Sequence, residues 1–523
     1  MRGLIHLWVM FIMVQACHGM FHKKQRIVPR EVEEDPEKDF RADLEDLLLS
    51  NDVSGARSSR LFQKAHKYGE QLGSHTFRAH AKASSSGSNA HRNLLKKMLK
   101  QCKWPCKLYN VQVRVWNVKR QREETVWLPI LLPHEMIKGL SNKSSMQALL
   151  CNTGMSRSSL DHLKALEQQF ATLLIGLGLW GDGVPCNYDK SQSLDVWSIN
   201  LPGLAGPHGA LRLPVTVVNT RFVLLHKTHD DILAVIKWSL EQCILGTMPS
   251  TRHDGSPWQP EDNKRRGLAG TQFPPAALCE VRGDWKFYKQ VFRFPQHNEL
   301  AGCCWMCNVT PGTFRNVGAD AGWRTNRLDH WQLLARMNDL GCSRSPLFGA
   351  PGVRSSIFQV DWLHTADKGV TAAFLGSLFN LLRSKMPGDT KVIRLQALFL
   401  ELQAWYSNNP SESKLDNLTP GMIGPQTGPY SLKAKAAEAR SLVPFAVFAA
   451  DRWLSKEDPM ESTVLQAAVQ LQACYNQLSR ASFSAEVLKE HSRKFCLLSV
   501  ALEEFSSDMS WHLRPKLHLF KEV

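Results

Sequence analysis

Residues 276–285 read Ala-Ala-Leu-Cys-Glu-Val-Arg-Gly-Asp-Trp and set the expected architecture of the centre of the chain. The side chains at positions 277, 279 and 281 alternate with those at 278, 280 and 282, which is the period of a β-strand. Such a strand would end just before Asp284 and place that carboxylate at its carboxyl end. Residues 355–360 predict a similar strand that delivers Asp361.

The elements on either side predict a mixed α/β centre. Residues 109–116 alternate apolar and polar side chains and, with residues 126–132, predict two paired strands. Thr228 as N-cap, an acidic Asp231 three residues later and Gly246 as stop mark a helix between the hairpin and the central strand. A helical apolar face from Val370 to Leu382 ends at Pro387-Gly388, and most of the following chain has helical character.

These patterns predict the following organisation. We expect an N-terminal α+β region over 91–225, a central α/β core over 226–385 and a mostly helical portion over 386–523 that completes the core. Residues 17–90 are polar, with an acidic run and a serine-rich stretch, and predict a disordered tail or linker. A lysine-flanked helix is expected from about His91.

Charge and cysteine content restrict the class of partner and compartment. Lysine and arginine number 64 against 48 aspartate and glutamate, a formal charge of +16, which favours polyanionic partners and nucleic acid first, with an ordinary basic soluble protein as the alternative. Thirteen cysteines in 523 residues are too few for a disulfide scaffold. Both features fit an intracellular, nuclear protein.

The first 16 residues favour a different location. Arg2, an apolar run over 4–14 and the small residues Val14 and Ala16 have the layout of a secretory signal peptide. If this segment functions as a signal, the protein is secreted. No later stretch predicts a membrane span.

Four short motifs occur in a fixed order along the chain. They are His253-Asp254-Gly255-Ser256-Pro257-Trp258, Arg282-Gly283-Asp284-Trp285, Cys304-Trp305-Met306-Cys307 and Asp361-Trp362-Leu363-His364. Together they resemble the pattern of eukaryotic DDE/D cut-and-paste DNA transposases of the CACTA and Plavaka type, over roughly residues 90–523. The late Lys516-Leu517-His518-Leu519 is similar to a Pro-Lys-x-His segment of the same proteins.

This resemblance implies a fold, a reaction and cofactors. The fold would be an RNase H-like core with a large helical insertion or C-terminal helical portion. Asp254, Asp284 and Glu438 would hold Mg²⁺ or Mn²⁺ for cleavage and transfer of DNA strands, because hard oxygen ligands suit these ions. His364 would orient a phosphate or brace the carboxylates.

Each acidic residue also has a purely structural interpretation. Asp254 lies in Asp-Gly-Ser-Pro, which is turn chemistry, and Asp284 is equally a strand-end cap. Glu438 is equally a solvated helix charge paired with Lys435 or Arg440, with Glu401 as an alternative third acid. Only 30 positions separate Asp254 from Asp284, fewer than is usual for the family, so an inactive or domesticated copy that binds nucleic acid remains an alternative.

Cys304 and Cys307 have the spacing of half a zinc site. A complete site needs two further ligands, and none of the cysteines or histidines nearby in sequence forms a second pair of typical spacing. The candidates are His330, Cys342, Cys303 and Cys279. Buried free thiols or a redox pair are the alternatives.

Overall fold

The computed structural model describes residues 40–41, 55–83 and 106–522 except for 143, 187–191, 207–208, 296–302, 319, 412, 425–428, 479–482 and 507–508. The signal-like segment over 1–16 and the helix expected near His91 therefore lie outside the described residues. The chain divides into two compact units. The first contains the described residues up to Arg282 together with Ser345–Ile357, and the second contains Gly283–Arg344 and Phe358 onward.

A four-stranded mixed sheet is the centre of the first unit. Its strands are β3 (Ile175–Pro185), β4 (Ser193–Gly206), β5 (Gly209–Asn219) and β6 (Ala276–Arg282), in the spatial order β5-β4-β3-β6. β3, β4 and β5 pair antiparallel in sequence order, and β6 returns parallel to β3, with Trp180 opposite Arg282. The predicted strand over 276–282 is confirmed. The sheet extends across the boundary expected at 225/226.

A hairpin precedes the sheet, as predicted. β1 (Tyr109–Asn117) pairs antiparallel with β2 (Arg122–Ile130), and the apolar side chains of β1 at 109, 111, 113 and 115 are buried. The Leu131 N–H donates to the Val215 carbonyl at 2.8 Å and connects the end of β2 to β5.

The connection from β5 to β6 contains the predicted helix, Lys227–Leu245, which ends at Gly246 in the left-handed conformation. Its N-cap is His226, so the prediction of Thr228 as N-cap is wrong. The Thr228 hydroxyl instead donates to the Arg114 carbonyl, and it accepts from the Leu224 N–H. The hydroxyl therefore attaches the helix to β1, a use that only the tertiary fold provides.

Two helices lie in the stretch that the sequence placed in a polar tail. They span Gly55–Gln71 and Arg78–Ala83. Phe62, Phe77 and Ala81 are buried, so these few apolar side chains supply the packing that the polar composition concealed. The other helices of the first unit are Pro133–Ser141, Met146–Leu149, Arg157–Phe170 and Asn263–Leu268, with short 3₁₀ turns at Thr220–Phe222, Pro260–Asp262, Pro346–Gly349 and Ser355–Ile357.

The second unit is helical in its described residues. Its α-helices span Trp285–Phe287, Gly322–Thr325, His330–Asp339, Ala372–Lys385, Lys391–Asn408, Pro420–Ile423, Ala436–Ser441, Val443–Trp453, Pro459–Asn476, Ala485–Phe505 and Lys516–Glu522. Of the two π-helices, Tyr288–Phe292 directly follows the helix Trp285–Phe287, and Leu363–Thr371 runs directly into the helix Ala372–Lys385. The mixed α/β class and the helical C-terminal portion are thus as expected.

The predicted strand over 355–360 is wrong. Ser355–Ile357 forms a 3₁₀ turn, and the residues that follow adopt no regular structure before the π-helix. Ile357 and Phe358 are both buried, so successive side chains do not alternate between a core face and a solvent face as in a one-sided strand. Asp361 is consequently presented by an irregular segment.

Across the described ranges, none of the helices combines the length and the apolar character that crossing a membrane requires.

Candidate metal centre

Three ligand-type side chains meet inside the second unit. Cys304, Cys307 and His518 each place one ligand atom within 4.8 Å of the others, and among the described residues they are the one such group of three. All three residues are at most 1% exposed. The group joins a turn near residue 304 to the last described helix, Lys516–Glu522, over more than 200 positions of sequence. It could hold a metal ion.

The two thiols differ in acidity. The pKa of Cys307 is lowered to about 5, first by its hydrogen bond with Cys304 and further by the neighbouring His518 imidazole, although burial opposes the shift. The pKa of Cys304 is raised well above its usual value, chiefly by burial. The direction of the shift in Cys307 favours its thiolate, which is the form that binds metals.

His518 presents its second ring nitrogen to this group. Its Nδ1 hydrogen-bonds to the Pro515 carbonyl, which only accepts, so Nδ1 carries the proton. Nε2 then has a free lone pair, and it is buried without a hydrogen-bond partner of normal length. A backbone carbonyl on one imidazole nitrogen is the usual means of fixing a metal-ligating histidine. The rings of Trp285 and Trp323 hold the imidazole at centroid distances of 6.3 Å and 5.7 Å.

The ligands suggested by proximity in sequence are not the ones that the fold selects. The Cys303 thiol lies 3.5 Å from the Val309 carbonyl, and the Cys279 thiol in β6 lies 3.3 Å from the Leu177 carbonyl. The group of Cys304, Cys307 and His518 includes none of the four candidates, which were Cys303, Cys279, His330 and Cys342. His518 was overlooked as a ligand, although the Lys516-Leu517-His518 motif had singled out its segment.

A second polar cluster of the same unit contains Asp284, Asp361 and His364. Asp361 accepts a short hydrogen bond from His364 Nδ1 and also accepts the Leu363 and His364 N–H groups at 3.2 Å. His364 Nε2 lies 3.9 Å from the Asp284 carboxylate. The Lys516 ammonium donates to the His364 carbonyl at 2.8 Å. Burial lowers the pKa of Lys516, while Asp284 and Asp361 act in the opposite direction.

Asp284 also performs the capping role considered from the sequence. Its carboxylate accepts the Phe287 N–H at 2.6 Å and caps the helix Trp285–Phe287. One carboxylate oxygen is engaged in this cap, and the other faces His364. The two interpretations of Asp284 are therefore compatible.

Asp254 lies in the first unit, in an exposed turn. Its Oδ1 accepts the Ser256 N–H at 3.0 Å and the Ser256 hydroxyl at 2.6 Å, and these bonds lower the pKa of Asp254. Gly255 has φ +80°, as the turn requires. These are the contacts of the turn interpretation, and Asp254 belongs to no metal-type group in the described chain.

Glu438 is likewise engaged locally, in the second unit. It occupies the third position of the helix Ala436–Ser441 and accepts the Lys435 N–H and the Lys435 ammonium, both at 2.9 Å. The alternative acid, Glu401, accepts the Trp453 indole N–H at 2.6 Å. Neither glutamate lies in a metal-type group of described side chains.

The sequence interpretation overlooked Asp182. Residues 182–185 read Asp-Gly-Val-Pro and repeat the Asp-Gly-x-Pro pattern of Asp254, but Asp182 lies on β3, the central strand that pairs with β6. It is partly buried opposite Val196 of β4, and its charge acts on Arg212 of β5. The repeat of the Asp-Gly-x-Pro tetrapeptide in the sequence was the signal that could have drawn attention to Asp182. Of the two copies, only the one at Asp182 begins on a strand that pairs with β6.

No protein-family model matches the chain, and no curated protein is significantly similar to it. Function is therefore inferred from the residues and the geometry of this chain.

Proposed function

We propose that the chain is a transposase-like protein that cleaves and transfers DNA strands with a divalent metal ion, and that zinc at Cys304, Cys307 and His518 stabilises its second unit. DNA as substrate would place the protein in the nucleus. The +16 charge favours such a partner.

The convergence of motifs carries this proposal. Trp285, next to Asp284, packs on Trp305 of the Cys-x-x-Cys motif at 5.6 Å and on His518 of the terminal motif at 6.3 Å. Lys516 of that same terminal motif contacts His364 of the Asp-x-x-His motif. Four elements that the transposase resemblance selected from distant parts of the sequence thus lie in one neighbourhood of the second unit. Four unrelated coincidental matches would have no reason to pack together.

Zinc fits the buried group by donor chemistry. Two cysteine sulfurs and one imidazole nitrogen are ligands that Zn²⁺ prefers, and Mg²⁺ does not take thiolates. The orphaned Nε2 of His518 and the acidic thiol of Cys307 are what a bound cation would satisfy. Bound zinc would cross-link the terminal helix to the segment after Asp284.

The sheet of the first unit supports an RNase H-like core. Three antiparallel strands are followed by a helix and a fourth strand parallel to the first, and the resemblance expects its first two aspartates on neighbouring strands. Asp182 lies on β3, and Asp284 follows β6 by two residues of sequence. We therefore propose Asp182, in place of Asp254, as the first acidic residue of the pattern. It precedes Asp284 by 102 positions.

In this proposal the acidic residues of the pattern would hold Mg²⁺ or Mn²⁺, and Asp284 is the ligand that the second unit supplies. When bound, such ions stabilise the charge that develops on the attacking and leaving oxygens of a phosphodiester. The third acid remains a prediction at Glu438, which would have to release its Lys435 contacts to serve.

A second candidate function is binding of nucleic acid without catalysis, by a zinc-stabilised descendant of such an enzyme. The local engagement of Asp254 and Glu438 in a turn and a helix cap favours it.

A DNA-nicking assay in Mg²⁺ and in Mn²⁺ tests the enzymatic proposal. We expect wild type to nick, Asp284→Asn and Asp182→Asn to lose at least about 100-fold, and Asp254→Asn to stay within about twofold. Loss of a metal ligand removes several kcal/mol of transition-state stabilisation, and 1.4 kcal/mol is tenfold in rate. Equal nicking by wild type and Asp284→Asn, or no nicking by wild type, would exclude the enzyme and leave the binding protein.

A further inference from the structure

His364 and Asp284 face each other across a gap with the dimensions of a metal site. The 3.9 Å from His364 Nε2 to the Asp284 carboxylate is too long for a hydrogen bond. Ligand bonds of roughly 2.0–2.2 Å on each side span up to about 4 Å, so one ion fits between the two atoms with little adjustment.

The imidazole is oriented for this task. Its Nδ1 hydrogen-bonds to the Asp361 carboxylate, so the Nε2 lone pair is directed toward Asp284 in the neutral ring. Asp361 is itself fixed by the Leu363 and His364 N–H groups. A carboxylate behind a histidine that faces an ion is a recurring arrangement in metalloproteins, where it raises the basicity of the ligand and fixes its ring.

The backbone conformation around His364 also indicates a functional site. His364 lies in the nine-residue π-helix Leu363–Thr371, and π-helical turns are rare and frequent at functional sites. Within it, Gly369 leaves room for the terminal helix, because a Cβ there would lie 2.9 Å from the His364 carbonyl oxygen and 3.1 Å from Cδ of Lys516. The missing side chain allows Lys516 to reach the His364 carbonyl.

We propose that Asp284 and His364 bind one divalent ion of the Mn²⁺ type, with Asp361 positioning the imidazole, so that the site prefers Mn²⁺ to Mg²⁺. An imidazole nitrogen is a good ligand for transition metals, whereas Mg²⁺ selects oxygen donors and retains its waters. The ion's use in strand cleavage rests on the proposed function, but its binding does not. This site is separate from Cys304, Cys307 and His518.

The structure also provides a matched control. His512 Nδ1 lies 3.4 Å from the Glu503 carboxylate in the same unit, so it is another histidine beside an acid, and its residues belong to neither proposed metal site. His364→Gln removes the nitrogen ligand, Asp361→Asn removes only the positioning charge, and His512→Gln removes a comparable surface pair.

The test is Mn²⁺ titration of the zinc-loaded full-length protein, followed by electron paramagnetic resonance. Wild type should bind Mn²⁺ at least about tenfold more tightly than Mg²⁺, with spin-echo modulation from a directly bound nitrogen. His364→Gln should lose that modulation and the preference. Asp361→Asn should bind Mn²⁺ roughly 10–100-fold more weakly, and His512→Gln should match wild type. Circular dichroism and zinc content establish that each variant is folded.

Unchanged Mn²⁺ binding or retained nitrogen modulation in His364→Gln would overturn the proposal, as would equal affinity of wild type for Mg²⁺ and Mn²⁺. Nicking measured on the same samples separates the two ideas. Nitrogen-bound Mn²⁺ in a wild type that does not nick refutes the nuclease and retains the ion site. If wild type nicks DNA but its bound Mn²⁺ shows no nitrogen coordination, the ion site is refuted and the nuclease is retained.

Discussion

Removing one sulfur from the group Cys304, Cys307 and His518 should abolish stabilisation by zinc. We compare Cys304→Ser with Cys303→Ser, the adjacent and equally buried cysteine whose thiol faces the Val309 carbonyl. A serine hydroxyl is a poor zinc ligand in this setting but can still donate to a carbonyl. The two variants therefore differ chiefly in the metal ligand.

The expected magnitude follows from linkage between binding and folding. With free zinc at about 100 times its dissociation constant, the folded state gains about 2.7 kcal/mol. For a unit of the size of the second one, roughly 230 residues, 1 kcal/mol shifts the melting temperature by about 2–4 °C. Zinc should thus raise the melting temperature by roughly 5–10 °C in wild type and in Cys303→Ser. In Cys304→Ser the rise should be below about 2 °C.

Scanning calorimetry with chelator and with zinc measures these shifts on the full-length protein, and metal analysis gives zinc bound per chain. Because each variant is compared with itself, the intrinsic effect of the serine cancels. Equal zinc-dependent shifts in Cys304→Ser and Cys303→Ser would refute the assignment of the ligand, and absence of bound zinc in wild type would refute the site.

Three further predictions concern the first unit. Burial lowers the pKa of His134 to about 3 from its usual 6.5. Between pH 6.5 and pH 3 this histidine therefore binds a proton in the unfolded chain but not in the folded one. The free energy of unfolding should fall on acidification through this range by up to about 1.4 kcal/mol per pH unit. Glu135→Gln removes one of two carboxylates bound to the buried Arg265 guanidinium, at 2.5 Å, while Asp262 remains at 2.7 Å, and should cost about 2 kcal/mol. Gly203→Ala should destabilise by more than about 1 kcal/mol, because its Cβ would lie 1.6 Å from a backbone oxygen. Gly267→Ala, in a helix with open space, should stabilise by about 0.5–1 kcal/mol.

Denaturant unfolding measures all three. The His134→Gln variant should lose part of the acid dependence between pH 6.5 and pH 4, and an unchanged slope would count against the buried neutral imidazole. Glu123→Gln, which changes an exposed carboxylate paired with Lys227 at 2.6 Å, is the control for Glu135→Gln, and equal effects of the two would contradict the role of burial. The two glycine variants control each other, since the structure predicts opposite signs.

The sequence correctly predicted those helices and strands whose signals come from residues close together along the chain. The sequence alternation in β1 and β6, the stop at Gly246 and the apolar face of the helix Ala372–Lys385 all depend on residues close to each other in sequence. The wrong predictions, Thr228 as N-cap and the strand over 355–360, occur where a distant contact or burial on both sides replaced the local preference.

By itself, the sequence determined the mixed α/β class and the Cys304–Cys307 pair, because strand period and ligand spacing are properties of neighbouring residues. Only the tertiary structure decided that His518, more than 200 positions away, joins this pair. It also distinguished Asp182 from Asp254, since both begin the same Asp-Gly-x-Pro tetrapeptide but only one lies on a strand paired with β6. Side chains distant in sequence become neighbours through packing, and spacing along the chain does not encode packing.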